Sequence, residues 1–321
     1  MKKFTHAWIA FKAIERLQKA EVPASLRPEA DFLVDWFSDH KDGVIRGSWY
    51  PDEVIVDNGT SHIMKYRCES ASPPLEYTNL PGTSLLFRAG QNSPLKSAGV
   101  TIDAKNDLPQ RCNSLYHSAI DNFKIQQNEE KGSSLSPNDN HIALLLFMLS
   151  HYIADAHMPL HCDGRSAMYG SFDLHDAIET RWEREVVARY EIDRPNQRFF
   201  YDPQGYPLVR AGYTETNCLL SQVEEELNHR RFVSGYGACG NLETYMLNVC
   251  RYSFLLSHAY LPEGTKATEW DKTELQLKSN PPITFTDMSL ASLADAVEAI
   301  ARVWLQATSD FIKWKDVIAD K

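Results

Sequence analysis

The chain lacks any long apolar run. Its most hydrophobic stretch, Ile142 to Leu149, is broken at once by His151 and Asp155, far short of the roughly 18 residues a membrane-crossing helix needs. That excludes a transmembrane segment and marks the stretch as a buried core helix. It also lacks a run of Lys and Arg, and its formal charge is −10. A broad polyanion-binding face is therefore excluded, and any nucleic-acid surface would have to be local. Six cysteines, at 68, 112, 162, 218, 239 and 250, form no C-x-x-C pair, so a Cys-based zinc module is excluded and the redox compartment stays open. Strand signals are few, and there is no internal repeat. After Lys2 and Lys3 no apolar leader follows, since Glu15 and Arg16 interrupt early. The expectation is a cytoplasmic chain without a signal peptide, or a secreted or periplasmic one if a leader was removed.

Helical periodicity dominates what is present. Trp8, Phe11, Ile14 and Leu17 recur at three-residue steps and predict a helix from about Thr5, its N-cap, to Ala20. A second helix, Glu29 to Phe37, leads into a loop from His40 to Asp52. Residues 70–110 are rich in Pro, Gly, Ser and Asn and predict an irregular insertion. Further helices are expected over Arg111 to Gln127, Asn140 to Met158, Phe172 to Tyr190, Thr216 to His229, Leu242 to Ala259 and Ser289 to Trp314. Residues 197–212 are expected as loop or short strand. The expected class is all-α, one domain over 1–321 with a helical C-terminal part from about 190.

The chemistry concentrates between Ser150 and Glu179, SHYIADAHMPLHCDGRSAMYGSFDLHDAIE. His151 and Asp155, and then His175 and Glu179, are each four residues apart, so each pair shares one face of a helix and can close on one cation. His161 follows Pro159. Imidazole with carboxylate suits zinc, and no cysteine sits at ligand spacing. Taken alone, His151 and Asp155 could be a hydrogen-bonded core pair. With His161, His175 and Glu179 in register, a metal centre is the better reading. Trp8, Trp49, Tyr50 and Tyr152 are candidates to line a groove, though aromatics at helical spacing are more often core. Asp57, Asp173 and Asp176 are candidate hydrogen-bond partners for the ligand rings.

Five blocks over roughly residues 1 to 185 carry a resemblance: THAWIAFKAIERL, HKDGVIRGSWYPD, SHIM, SHYIADAHMPLH and LHDAIETRWE. Together they resemble the zinc-dependent phospholipase C family, whose superfamily includes the zinc-dependent single-strand nucleases and 3′-nucleotidases. The resemblance implies a multi-helix bundle around a trinuclear zinc site. One zinc would be held by Asp52, His62 and His151, with Asp155 bridging to a second completed by His6 and the Met1 amine and carbonyl. His161, His175 and Glu179 would hold the third. If Met1 does not ligate, two ions are expected.

Glu at position 179 is typical of the phospholipases, where the nucleases commonly have Asp. Two departures stand out: Met1 replaces the family's initial Trp, and His62 and His151 lie 89 residues apart. The implied activity is phosphoester hydrolysis by a metal-activated hydroxide, with Asp52 as general base and a phospholipid as substrate. The alternatives are a nucleotide or single-stranded nucleic acid, a small phosphorylated metabolite, and a non-catalytic zinc-binding helical protein. Neither the headgroup nor the oligomeric state is written in the sequence.

Overall fold

The computed structural model describes residues 1–68, 100–102, 107–130, 132–165, 172–261 and 285–319. It is mostly helical and of the all-α class. The helices are α1 (Lys3–Lys19), α2 (Arg27–Val44), α3 (Leu108–Asn128), α4 (Asp139–Ala156), the single turn α5 (Pro159–Cys162), α6 (Phe172–Arg189), α7 (Leu219–His229), α8 (Leu242–Tyr260) and α9 (Phe285–Ala319). Two small antiparallel pairs join β1 (Tyr66–Cys68) to β2 (Val100–Ile102) and β3 (Ile192–Asp193) to β4 (Arg198–Phe199). Most of the expected 70–110 insertion lies outside the described residues, except that β2 falls in it and α3 begins at Leu108.

The axis of the bundle is α4, which packs against α1, α2, α3, α8 and α9. Its position follows from composition, because a helix apolar on every side is stable only when surrounded. Asn138 caps it, accepting from His141 N at 2.9 Å, and Asp139 sits in the first turn where the helix dipole favours a carboxylate. It ends at Ala156, two residues before Met158, which starts the α5 turn with Pro159 at its first position. Around it, Phe37, Phe147 and Trp304 pack ring to ring with centroids 4.8 to 5.4 Å apart. Trp304 also donates Nε1–H to the Leu146 carbonyl at 3.0 Å. Each such buried aromatic contributes about 1.5–3 kcal/mol.

Two expectations are corrected. Thr5 is not an N-cap but lies inside α1, which begins at Lys3 and has no local side-chain cap. Its cap comes from α6: Glu183 accepts from Phe4 N at 3.1 Å, Thr5 N at 2.8 Å and the Thr5 hydroxyl at 2.9 Å. A tertiary carboxylate thus replaces the local one, because α6 brings its negative charge to the positive end of α1. The expected loop from His40 to Asp52 is helical instead. Here α2 runs to Val44, a 3-10 segment spans Ile45–Trp49, and a wide π turn spans Pro51–Ile55. Gly47 lets this segment lie on α4, since a Cβ there would come within 2.8 Å of Leu144 Cδ1 and 3.0 Å of Phe147 Cβ.

Candidate metal centre

Every residue of the expected ligand set reaches one region. From α4, His151 and Asp155 point into it, both essentially inaccessible. Met1 and His6 arrive at the start of α1, and α5 delivers His161. The stripe His175, Glu179, Glu183 on α6 adds two candidate ligands and then the α1 cap. Asp52 sits second in the π turn, and His62 ends a 3-10 turn (Gly59–His62) capped by Asn58, which accepts from Thr60 N at 3.2 Å.

Three groups of ligand-type atoms converge: Asp52, His62 and His151; His6, His151 and Asp155; and His161, His175 and Glu179. In the first, with Asp155 included, His151 Nε2 lies 3.1 Å from His62 Nδ1, 3.5 Å from Asp52 Oδ1 and 3.2 Å from Asp155 Oδ2. His62 Nδ1 is 2.9 Å from Asp155 Oδ2 and 3.8 Å from Asp52 Oδ1. A tetrahedral zinc with bonds of 2.0–2.1 Å separates its ligand atoms by about 3.3 Å. These separations fit such a cage.

The other oxygen of Asp155 faces away from that cage. Asp155 Oδ1 is 3.1 Å from the Met1 amine and 3.5 Å from His6 Nε2. In the third group His175 Nε2 is 2.9 Å from His161 Nε2 and 2.8 Å from Glu179 Oε1, with 3.5 Å from His161 to Glu179. Glu179 Oε1 also lies 2.7 Å from the Met1 amine, so Met1 touches the third group as well as the second. The sequence reading assigned it to the second alone.

Both ring nitrogens of buried His6 lack a hydrogen-bond partner, and so does Glu179 Oε1 despite its close neighbours. Buried polar atoms are normally satisfied. Short contacts without hydrogen-bond angles are what atoms aimed at a common point produce, so the buried His, Asp and Glu groups could hold metal ions.

The electrostatics of the metal-free protein support the same view. Burial opposes charge on the Met1 ammonium, but Asp155 and Glu179 raise its pKa to about 11. His151 is likewise opposed by burial and raised to about 9 by Asp155 and Asp52. Burial alone dominates at His161, pushed down to about 4, and burial with His151 holds His6 well below its usual value. Burial works against ionised Asp155 and Glu179, yet the Met1 ammonium and the histidines hold both well below the usual range. Protons on Met1 and His151 thus occupy places a cation can take.

The rings are fixed from behind by backbone. His151 Nδ1 is 2.9 Å from the Ser48 carbonyl, and His161 Nδ1 is 2.9 Å from the His62 carbonyl. These carbonyls, not Asp57 or Asp176, orient the His151 and His161 rings. Asp57 instead accepts from the Tyr152 hydroxyl at 2.5 Å and pairs with Arg111 at 3.1 Å, and Asp176 pairs with Lys2 at the surface. The Asp173 side chain lies outside the described residues. Trp8, Trp49 and Tyr152 are buried and Tyr50 half-buried, so three of the four groove candidates are core. His157 and Cys162 are buried beside the centre without joining it: His157 Nδ1 is 2.7 Å from the Ile153 carbonyl, and Cys162 Sγ is 3.6 Å from that of Ala156.

The sequence reading missed Ser48, Glu183 and Arg111, and it named Asp57 and Tyr152 for other roles than the group they form with Arg111. Of the three missed, Glu183 had a signal, being one more helical turn beyond Glu179. The centre opens to solvent on one side, where the Asp52 side chain is 47% exposed, His175 31% and His62 12%. A cleft of about 710 Å³ lies elsewhere, lined by residues that include Lys12, Arg16, Arg189, Glu224 and Arg230. Four of its cations are matched by carboxylates: Lys12 and Arg189 by Glu224, Arg16 by Glu298, and Arg230 by Asp295. We read it as an ion-pair lattice.

No family model, curated protein or solved structure matches this chain.

Proposed function

We propose that this protein is a zinc-dependent phosphoester hydrolase and that its substrate is a phospholipid, cleaved on the glycerol side of the phosphate in the manner of a phospholipase C. The observation that carries the reading is Asp155, whose two carboxylate oxygens face two different sets of ligand-type atoms. A buried carboxylate shared in that way is what a closely spaced pair of cations needs. Zinc, when bound, supplies Lewis acidity and lowers the pKa of water towards about 7.

The chain's own residues do the rest. Met1, His6, His151 and Asp155 form a closed inner wall that excludes water. Asp52, His62 and His175 form the open side, where a phosphoester can enter. Of the ligand carboxylates Asp52 is the one substantially open to solvent, so it is placed to accept a hydrogen bond from an attacking water and, as general base, its proton. Burial pushes its pKa up, but pairing with His151 holds it at about 2 in the metal-free protein. As a base it is weak at neutral pH, and its larger contribution is orientation. The leaning to lipid over nucleic acid is supported by the acidic charge and by the burial of Trp49 and Tyr152, which leaves neither available for stacking bases.

The test offers zinc-loaded and chelated protein phosphatidylcholine, single-stranded DNA and a small phosphomonoester. Release of phosphorylated headgroup by the zinc form alone is expected. Cleavage of DNA alone would make the protein a nuclease, and cleavage of the monoester alone a metabolite hydrolase. Unfolding on chelation without any activity in the loaded form would leave the metals as structural staples.

A further inference from the structure

The π turn that carries Asp52 continues into three consecutive exposed aliphatic residues, Val54 at 60%, Ile55 at 44% and Val56 at 75%. Single exposed aliphatics are ordinary, but a contiguous group beside an open site marks an interaction surface. The tip is not slack chain. Val56 adopts the left-handed region (φ 49°, ψ 57°), where a β-branched residue is strained. Both ends of the turn are held: Pro51 is buried, and Asp57 donates its N–H to the Pro51 carbonyl at 2.9 Å. The Asp57 carboxylate is in turn gripped by Tyr152 and Arg111. The fold therefore spends backbone strain on a turn whose apolar tip faces water.

We infer that Val54, Ile55 and Val56 seat the open side of the metal centre on a zwitterionic phospholipid surface. This rests on the phospholipid reading above and adds the means by which the protein meets its substrate in bulk. Aliphatic side chains of this size gain by leaving water for the acyl boundary. The partner's charge follows from the flanks. Glu53 pairs with Lys3 and Asp57 with Arg111, so the flanks of the tip carry little net charge, which suits a zwitterionic face; the chain carries −10 overall, and an anionic lipid face would be repelled. A nucleic-acid strand would need cations and stacking rings, whereas the tip offers aliphatics, and Lys3 and Arg111 beside it are paired with Glu53 and Asp57. Asp52 lies two residues from Val54, so a lipid headgroup at a surface touched by the tip is next to the open wall of the centre.

The experiment is sedimentation of the full zinc-loaded chain with phosphatidylcholine vesicles and with phosphatidylglycerol vesicles, read as bound fraction with no turnover measured. It is repeated with a Val54→Ser, Ile55→Ser, Val56→Asn variant. A Val56→Gly variant, which accepts the left-handed backbone freely, guards against misfolding. Metal content and thermal midpoint report integrity of all three. The expected result is binding to phosphatidylcholine, weaker binding to phosphatidylglycerol, and at least about a tenfold loss in the polar variant, with an intermediate loss for Val56→Gly. Absence of vesicle binding, or equal binding by the polar variant, overturns the inference. So does a concentration-dependent dimer lost in that variant, which would make a second copy the occupant. Vesicle binding here, with no cleavage of phosphatidylcholine in the separate hydrolysis test of the proposed function, would instead overturn the phospholipase reading and leave the anchor standing.

Discussion

The two walls of the candidate metal centre are built differently. The inner wall, with Met1, His6, His151 and Asp155, comes from helix α4 and the first turns of α1, is buried, and is fixed by helical spacing and core packing. The outer wall, with Asp52, His62 and His175, is more exposed, and two of its three members stand on short turns held by a few hydrogen bonds. Loss of an inner ligand should therefore damage fold and metal content together, whereas loss of an outer ligand should damage chemistry and leave the fold intact.

The sharpest way to break this comparison is Asp155→Asn against Asp52→Asn. Asp155→Asn leaves the buried Met1 ammonium and His151 without their main counter-charge. It is expected to lose at least one metal equivalent, more than about 100-fold in hydrolysis and about 3–5 kcal/mol of metal-free stability. Asp52→Asn is expected to stay within about 0.5 kcal/mol in stability, to keep the metals of the inner wall, and to lose about 100-fold or more in turnover. Metal analysis, denaturant unfolding and rate measurements on both variants check this. Near-normal turnover with full metal in Asp52→Asn would remove that residue from the chemistry.

The pH dependence of the metal-free protein sharpens the comparison from the inner side. The Met1 amine rises from 8.0 to about 11 and His151 from 6.5 to about 9. Both are raised in the fold, so their stabilisation is complete below the unfolded values and lost as pH climbs through the folded ones. His161, lowered to about 4, acts oppositely, its contribution present above about 6.5 and lost as pH falls. The chelated protein should be most stable near pH 6.5 to 7 and weaken on the alkaline side up to about 11. Metal loading removes those protons and should flatten the slope between pH 7 and 9, as thermal midpoints with and without chelator will show.

A smaller effect is expected where backbone carries the arrangement. Gly47→Ala would push a methyl against Leu144 and Phe147 and shift the Ser48 carbonyl that orients His151. About 1–3 kcal/mol of destabilisation is expected from overpacking, with weaker metal affinity. Unchanged affinity would show that the carbonyl is not what fixes the ring.

The contrast between walls also explains what was legible in the sequence. His151 with Asp155 and His175 with Glu179 stand out because helical spacing alone puts each pair on one face. Met1, His6, Asp52 and His62 have no such local signature, and they entered the expected set only through the resemblance of whole blocks. Ring orientation by the Ser48 and His62 carbonyls could not be read, because backbone groups have no letter in a sequence. Thr5 misled for a related reason: it is a good local cap, but Glu183, distant in sequence, outcompetes it. The loop expected after Phe37 failed because contact with α4 through Gly47 rewards helical turns in a stretch that local propensity leaves open.

The central claim is that Asp155 joins two cation sites, with Met1 beside the second and the third. Its most direct test is anomalous scattering on zinc-loaded crystals, with metal stoichiometry measured on the same protein. Three ions are predicted, with Asp155 bonded to two of them and the Met1 amine bonded to one. An Asp155 carboxylate touching a single ion or none, with the Met1 ammonium still in place between Asp155 and Glu179, would contradict the account.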